Sequence, residues 1–521
     1  SMGETSKKMK NKLSILILLG CASLSIAHVG SLNVFYEGKA GTYPIRVIIR
    51  PPGVVPGLAE ITVRSLGKGV ERVTVQPVKW DAGPEGAPPP DVAVNVSGDG
   101  TLFSSELWLM DFGSYSVNVD VHGEQGHGRS IVPVSSIATR KLEMSPALKG
   151  ILIFLMIFLF SGGITIIGAA VRESTLELGS KTSKERKRKS RVSMLVGALI
   201  FIGLLYGGRM WWTSIDNEYQ ENLFKPIEVT SEVISKNDTR ILQVSITDEK
   251  WIKDLYPPLI PDHGKIMHTY FMRIPGLDAF SHIHPVAIDQ DQNTFQVIVP
   301  PLPGGDFVLF ADITHESGFA QTLIDTVTVP EYSGVEFLED LHIVRDPDDS
   351  WKMGYPLPDL DLDSPVRSSD LVNGKFLMEW LNLPDRIIAE KEVELSFKVT
   401  DITRGHLSLE PYMGMLSHAG ILRTDGSVFL HLHPIGSISM ASQQRFEQQS
   451  GINARSGSMH DGHMDHSKHM GNEIIKSSES VSYPPIEFPR PGQYRIWIQV
   501  KVSGEVLTGI FDLYVHPPVI S

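Results

Sequence analysis

Cysteine is almost absent from this sequence. The chain of 521 residues contains a single cysteine, Cys21, which lies in an apolar stretch near the N-terminus. A disulfide needs two cysteines and a thiolate metal site usually needs several, so we expect neither. Any metal ligands must therefore be histidine, methionine, aspartate or glutamate side chains.

An excess of positive charge is also missing. The net charge is −13 at neutral pH, whereas proteins that bind nucleic acid normally present a basic face, so we expect no nucleic-acid partner. The sequence also lacks a recognisable Ser/His/Asp arrangement, phosphate-binding loop or catalytic carboxylate pair. We therefore predict that the protein is not an enzyme, apart from one copper-dependent alternative given below.

The N-terminus has the pattern of an export signal, 1–27. Lysines precede a short apolar core, and Ser25-Ile26-Ala27 offers a small-residue cleavage site. Cleavage after Ala27 would make His28 the first mature residue. Two alternatives are lipidation of Cys21 and retention of the segment as an uncleaved anchor.

Two further apolar runs predict transmembrane helices at 148–171 and 192–212. The loop between them, 172–191, carries the one dense basic run of the chain, which is typical of a cytoplasmic loop. We therefore predict two membrane spans, with the soluble parts on the outer side of the inner (cytoplasmic) membrane, facing the periplasm or the cell exterior.

The soluble parts have the composition of β-structure. Segments rich in β-branched residues lie between glycine and proline turns, and Ser114 to Val121 alternates as a half-buried strand does. We predict a mainly β protein with three immunoglobulin-like sandwiches at 28–143, 215–332 and 375–521. An acidic, proline-containing linker, 333–374, and an insertion, 437–480, are not expected to pack a core of their own.

An internal repeat covers the second and third of these domains. Each copy has a histidine, a hairpin, a His-x-His-Pro sequence, a Pro-Gly turn and an aromatic strand. Residues i and i+2 of a strand share a face, so each His-x-His presents two imidazoles on one side, and the hairpin brings a third histidine alongside. The predicted metal ligands are His268, His282 and His284 in one copy and His418, His431 and His433 in the other. The alternative is that these histidines only end a strand and pack on an aromatic ring.

Other residues are candidates for metal binding. His315 follows the aromatic strand of the first copy and could add to its site. His28 could chelate copper with its amine and ring if signal cleavage exposes it, with His122 or His127 completing a brace; otherwise it is an ordinary exposed terminus. The polar segment Ser458–Met470 suits copper capture because thioethers favour Cu(I) and imidazoles accept both oxidation states. Its candidate ligands are Met459, His460, His463, Met464, His466, His469 and Met470.

The succession of motifs in 264–312, namely Met-His, His-x-His-Pro and Pro-Gly-aromatic, resembles the YtkA-like and CopC-like extracytoplasmic β-sandwich proteins linked to copper. The resemblance implies an immunoglobulin-like fold and copper handling. It also matches His28 to the mature N-terminal histidine of CopC-type proteins.

Three functional hypotheses follow. The first is a membrane-anchored protein that captures, buffers or delivers copper, with zinc as an alternative metal and a copper-dependent membrane enzyme or exporter as partner. The second is an accessory protein that binds a partner and whose histidines are structural. The third is a copper oxidoreductase with an N-terminal histidine brace at His28.

Overall fold

The computed structural model describes residues 33–177, 179–236, 239–332, 334, 344–358, 365–372, 374–405, 407–451 and 479–518. The chain divides into two units. One comprises residues up to Ser136 and from Pro226 onward, and the other is Ile137–Lys225. The larger unit is built from strands, which confirms the prediction of a mainly β protein.

The first β region is one antiparallel path of eight strands in the order β1-β2-β3-β6-β5-β4-β7-β8. In β3 every second residue is buried, as expected where one face of a sheet covers a core. That core consists mainly of Val, Ile and Tyr side chains. The strands are β1 Val34–Ala40, β2 Tyr43–Arg50, β3 Gly57–Ser65, β4 Val70–Lys79, β5 Asp91–Asn95, β6 Leu102–Leu109, β7 Gly113–Gly123 and β8 Gly126–Ser136.

The second β region contains two sheets on one core. A four-stranded sheet, β14-β15-β10-β9, and a six-stranded sheet, β11-β16-β12-β13-β18 with β17 beside β16, both contribute side chains to it. A short helix, Glu249–Ile252, follows β10. The strands are β9 Val229–Lys236, β10 Thr239–Ile246, β11 Leu259–Ile260, β12 Met267–Arg273, β13 Ala279–Ile283, β14 Val286–Ala287, β15 Thr294–Ile298, β16 Gly305–His315, β17 Ala320–Val329 and β18 Ser350–Met353.

The third β region repeats this plan with a four-stranded sheet, β19-β20-β22-β25, and a five-stranded sheet, β21-β27-β26-β23-β24. Both sheets again share one core. The strands are β19 Ser368–Asp370, β20 Phe376–Leu381, β21 Ile387–Ile388, β22 Glu392–Asp401, β23 Ser417–Arg423, β24 Phe429–Leu432, β25 Ser480–Glu487, β26 Gly492–Val502 and β27 Glu505–His516.

The two repeats pack against each other through the sheets that carry their histidines. Phe310 of the second region stacks on Phe429 of the third, with ring centroids 4.4 Å apart, and Phe280 stacks on Trp497 at 5.0 Å. These rings belong to a separate core formed by both regions. The histidine-bearing sheets therefore face each other rather than water.

Parts of the predicted linker and of the predicted insertion join neighbouring elements of the β regions. Ser350–Met353, within the predicted linker, forms β18 and pairs with β13. Within the predicted insertion, Met440–Gln449 forms a helix that buries Phe446 and Gln443. Its first turn is held by Asp262, whose Oδ1 accepts from the backbone N–H of Ala441 at 3.1 Å.

The smaller unit contains the two helices Pro146–Glu173 and Lys184–Glu221. Each is long and apolar enough to cross a membrane, by length and composition. The predicted spans 148–171 and 192–212 lie inside them. Ser190 Oγ of one helix donates to the backbone carbonyl of Gly168 in the other over 2.7 Å. The second helix extends beyond the predicted span at both ends and includes much of the basic run.

Candidate metal centre

The strands β12 and β13 bring three predicted histidines together. The register pairs Thr269 with Ile283, and its continuation places His268 opposite His284. His282 lies two residues before His284 on the same face. One ligand nitrogen from each of these three histidines lies within 4.8 Å of the other two. We call His268, His282 and His284 the first histidine set.

A second group forms in the third region with one unexpected member. The register of β23 with β24 pairs Ala419 with Leu432, so that His418 faces His433 as predicted. Their ligand nitrogens lie within 4.8 Å of a nitrogen of His263, which comes from the second region. We call His263, His418 and His433 the second histidine set.

His431 lies close to both sets. Its ring centroid is 4.4 Å from that of His433 and 5.9 Å from that of His418. It is also 6.0 Å from the rings of His268 and His282. Because His282 and His418 are themselves 6.0 Å apart, the two sets and His431 form one continuous group, which we call the histidine cluster.

Hydrogen bonds fix the rings of the first set. His268 Nε2 donates to the carbonyl of Asp262 at 2.9 Å, and His282 Nδ1 donates to Gln499 Oε1 at 2.9 Å. His284 Nδ1 donates to Asp349 Oδ1 at 2.9 Å. The acceptors are oxygens, so the bonded nitrogens carry the protons and the opposite nitrogens keep their lone pairs.

Those opposite nitrogens are buried. His268 Nδ1, His282 Nε2 and His284 Nε2 have no hydrogen-bond partner among the described residues, and all three side chains are almost fully enclosed. A buried polar atom without a partner costs about 1–3 kcal/mol. Metal-binding histidines commonly donate their second nitrogen to a carboxylate or carbonyl in this way. The arrangement therefore has the form of a ligand set with its supporting hydrogen bonds.

The two repeats exchange support across their interface. His282 of the second region donates to Gln499 of the third, and His431 of the third donates from Nδ1 to Asp312 Oδ2 of the second at 2.9 Å. The residues occupy matching positions, because β12 pairs His268 with Asp312 and β23 pairs His418 with Gln499. Each repeat thus orients a histidine of the other.

The remaining rings also have nitrogens without partners. In the described part of the chain, neither ring nitrogen of His418 or His433 makes a hydrogen bond, and His431 Nε2 makes none. Their exposed fractions are 0% for His418 and 3% for His433. Lone pairs are thus available in the second set and beside it.

Burial keeps these imidazoles neutral. It lowers the pKa values of His282, His284, His418, His431 and His433 well below the usual range, and the proximity of further histidines adds to the effect. A protonated ring has no lone pair to donate. The cluster is consequently in the protonation state that metal binding requires at neutral pH.

Two carboxylates, Asp312 and Asp349, accept hydrogen bonds from rings of the histidine cluster. Burial raises the pKa of Asp312 to about 6, and burial together with neighbouring Asp346 raises that of Asp349 to about 7. Asp346 pairs with Lys265 at 2.6 Å. Asp346, Asp349 and His284 also form a third group with close ligand atoms. Because Asp349 already accepts from the backbone and ring of His284, we assign it to the support of that ring.

The other predicted ligands lie elsewhere. His315 is on β16, and its ring nitrogens contact the Pro257 carbonyl at 2.7 Å and Gln321 Nε2 at 2.6 Å, so it is not part of the cluster. His122 and His127 face each other in the first region with ring centroids 4.6 Å apart. Candidates outside the described residues are His28, Met459, His460, His463, Met464, His466, His469 and Met470.

His263 and Asp349 were not anticipated. Asp349 lies in the predicted linker. His263 has a detectable signal, because Pro261-Asp262-His263-Gly264 and Pro411-Tyr412-Met413-Gly414 occupy the same place before the first histidine of each repeat. Aligning these segments shows a metal-binding residue type at the same position in both copies, histidine in one and methionine in the other.

These observations define a buried group of histidines that could hold a metal ion. A family model described as "Domain of unknown function (DUF8832)" matches residues 378–517, most of the third region. No curated protein matches the chain.

Solved structures give only remote likenesses. Latent PorU from Porphyromonas gingivalis is 8% identical, with a TM-score of 0.15, 94% of this chain covered and 34% of that chain covered. Salmonella alpha-2-macroglobulin is 9% identical, with a TM-score of 0.17 and coverages of 94% and 23%. This chain thus spans about a third or less of those two proteins. A putative membrane anchored protein from Corynebacterium diphtheriae is 9% identical, with a TM-score of 0.13 and coverages of 94% and 97%.

Proposed function

We propose that this protein is a membrane-anchored, extracytoplasmic copper-binding protein whose metal site is the histidine cluster. The observation that carries the proposal concerns the two nitrogens of each ring in the first histidine set. One nitrogen donates a hydrogen bond, and the other is buried and has no hydrogen-bond partner among the described residues. A structural histidine gains nothing from a buried lone pair that meets no donor, whereas a metal ligand requires one.

The donor chemistry supports copper. Imidazole suits copper, zinc and nickel, and nitrogen sites bind Cu²⁺ more tightly than the other divalent first-row metals. The single cysteine, Cys21, cannot supply the several thiolates of a typical thiolate zinc site, and the segment Ser458–Met470 supplies thioethers that suit Cu(I). Zinc remains the second metal to test, because three histidines are also a known zinc ligand set.

The role we propose is capture, buffering or delivery of copper. The cluster is enclosed, which suits retention of an ion, while Ser458–Met470 would take up copper and exchange it with a partner. The two helices would anchor the β regions outside the inner membrane, close to a copper-dependent enzyme or exporter. We also propose that the three β regions are immunoglobulin-like domains, an idea supported by the paired sheets around one core in the second and third.

The test is metal analysis of the full-length protein in detergent, compared with a variant that lacks Ser458–Met470. We expect copper in both proteins after loading and washing, with less in the deletion variant. Absence of bound copper and zinc from both would overturn the proposal and favour a partner-binding protein with structural histidines.

A further inference from the structure

The histidine cluster contains more donors than one ion needs. The ligand nitrogens fall into two sets that share no residue: His268, His282 and His284, and His263, His418 and His433. Three histidines are enough to hold a copper or zinc ion, with one position left for another ligand. We infer that the cluster binds two metal ions, one in each histidine set. This inference rests on the proposed metal-binding function and extends it to the number and ligands of the ions.

The second set depends on a loop shared by both repeats. His263 and Gly264 have φ values of 51° and 80°, and Met413 and Gly414 have 49° and 77°. The same short bridge closes both turns, Asp262 with Lys265 and Tyr412 with Met415. The loop conformation is therefore a property of the repeat, while the side chain that it presents differs between the copies.

His263 is held where it can reach the other repeat. Its ring centroid lies 5.0 Å from that of His433 and 5.6 Å from that of His418. The neighbouring Asp262 accepts from His268 Nε2 through its carbonyl and from Ala441 N–H through its side chain. The loop is thus bonded to the first set on one side and to the helix Met440–Gln449 on the other.

The two sets consequently differ in their origin. The first consists of residues from one repeat, on β12 and β13 and just after β13. The second combines His263 of the second region with two histidines of the third, so it is complete only when the repeats are docked. His431 lies between the sets, and its Nε2 has no hydrogen-bond partner within the described part of the chain, so it can add a fourth imidazole to the second set.

The geometry suits two centres better than one. Metal–imidazole bonds are about 2.0–2.1 Å for zinc, so the donors of a single ion lie at most about 4 Å apart. Donors within each set lie inside 4.8 Å of one another, so small movements close each set on an ion. Binding the six imidazoles of the two sets to one ion would instead require the strands that carry them to shift. These strands are held in place by their sheets and by the stacking of Phe310 on Phe429.

The experiment counts copper in the full-length protein with every candidate ligand of Ser458–Met470 replaced by Ala, so that this segment does not contribute. The replaced residues are Met459, His460, His463, Met464, His466, His469 and Met470. In this background the double variant His263→Asn, His431→Ala, which leaves only His418 and His433 at the second set, should remove one equivalent and leave one. His282→Ala should remove the other equivalent. Asparagine tolerates the left-handed conformation at position 263, so the loop should persist. His516→Gln is the matched control, because His516 is a buried histidine bonded to Arg386 outside the cluster, and it should leave both equivalents.

Electron paramagnetic resonance provides a second measurement. Two Cu(II) ions in neighbouring sets should interact magnetically, and the double variant His263→Asn, His431→Ala should restore the signal of a single isolated ion. One equivalent in the background protein, or complete loss of copper in both variants, would overturn the two-ion inference while leaving the proposed function intact. No bound metal in the background protein would overturn both. Metal-free thermal unfolding identifies any variant that fails to fold, and His433→Ala then replaces His263→Asn.

Discussion

His431 and Asp312 join the two repeats: Nδ1 of His431, on β24, donates to Oδ2 of Asp312, on β16, over 2.9 Å. A carboxylate oxygen only accepts, so the proton resides on Nδ1 and the Nε2 lone pair remains available inside the cluster. Asp312 also accepts from Thr322, which fixes the carboxylate. A substitution of Asp312 therefore tests whether the hydrogen bonds that orient the histidine rings contribute to metal binding.

Replacing Asp312 by Asn should weaken copper binding by about 10–100-fold, the usual effect of losing such a supporting carboxylate. The amide keeps the shape of the side chain but does not enforce the Nδ1–H tautomer of His431. Competitive copper titration measures the change. Asp306→Asn is the matched control, because Asp306 lies on the same strand and pairs with Thr328 in the same way, away from the cluster. Equal affinities for both variants and the parent would contradict the prediction.

His284→Ala and His433→Ala should each lower copper affinity without unfolding the protein. Each removes one ligand from a set whose backbone is held by a sheet. If the histidines were only structural, affinity would not change and the free energy of unfolding would fall by about 1–3 kcal/mol through an unpaired buried group. Measuring both quantities on the same two variants separates these outcomes.

The metal-free protein should lose stability as the pH falls below about 6.5. The histidines of the cluster have pKa values lowered by burial, so the unfolded chain binds more protons than the folded one between the unfolded value and the lower folded value. Each such group then removes up to about 1.4 kcal/mol per pH unit. Asp312 and Asp349, with raised pKa values of about 6 and about 7, act in the opposite direction, but the histidines outnumber them.

Chemical unfolding of metal-free protein at pH 7.5, 6.5 and 5.5 measures this slope. A stability that stays level or increases as the pH decreases to 5.5 would show that the rings are not buried and neutral in solution.

The membrane arrangement is tested by reporter fusions. A reporter near Ser183, between the two helices, should be cytoplasmic, and one near Ser350 should be outside, because the loop between the helices is basic. Both reporters on the same side would exclude two spans.

The local architecture of the site could be predicted from sequence. The His-x-His spacing and the hairpin lengths define which residues share a face, and the observed registers place His268 opposite His284 and His418 opposite His433. These features depend only on the period of a strand and the length of a turn. The long apolar runs likewise predicted the two helices.

The union of the repeats into one cluster could not be predicted from those periods. Each repeat was expected to form its own site, with His431 in the second. In the structure, docking of the two repeats places His263 in the second set in the place expected for His431. This docking depends on contacts between residues far apart in sequence, such as Phe280 and Trp497, which strand periods do not reveal. One signal was present in the sequence: the residues of β12 do not alternate regularly between apolar and polar. In the structure six of these seven residues are buried, as in a strand that is covered on both faces.

The most direct test of the central claim is the ligand environment of bound copper. The full-length protein with His460, His463, His466 and His469 replaced by Ala should be loaded with copper and measured by X-ray absorption. We predict a shell of imidazole nitrogens without sulfur, which is lost when His282 and His418 are replaced together by Ala. Copper bound mainly by sulfur, or an unchanged nitrogen shell in the double variant, would contradict the account.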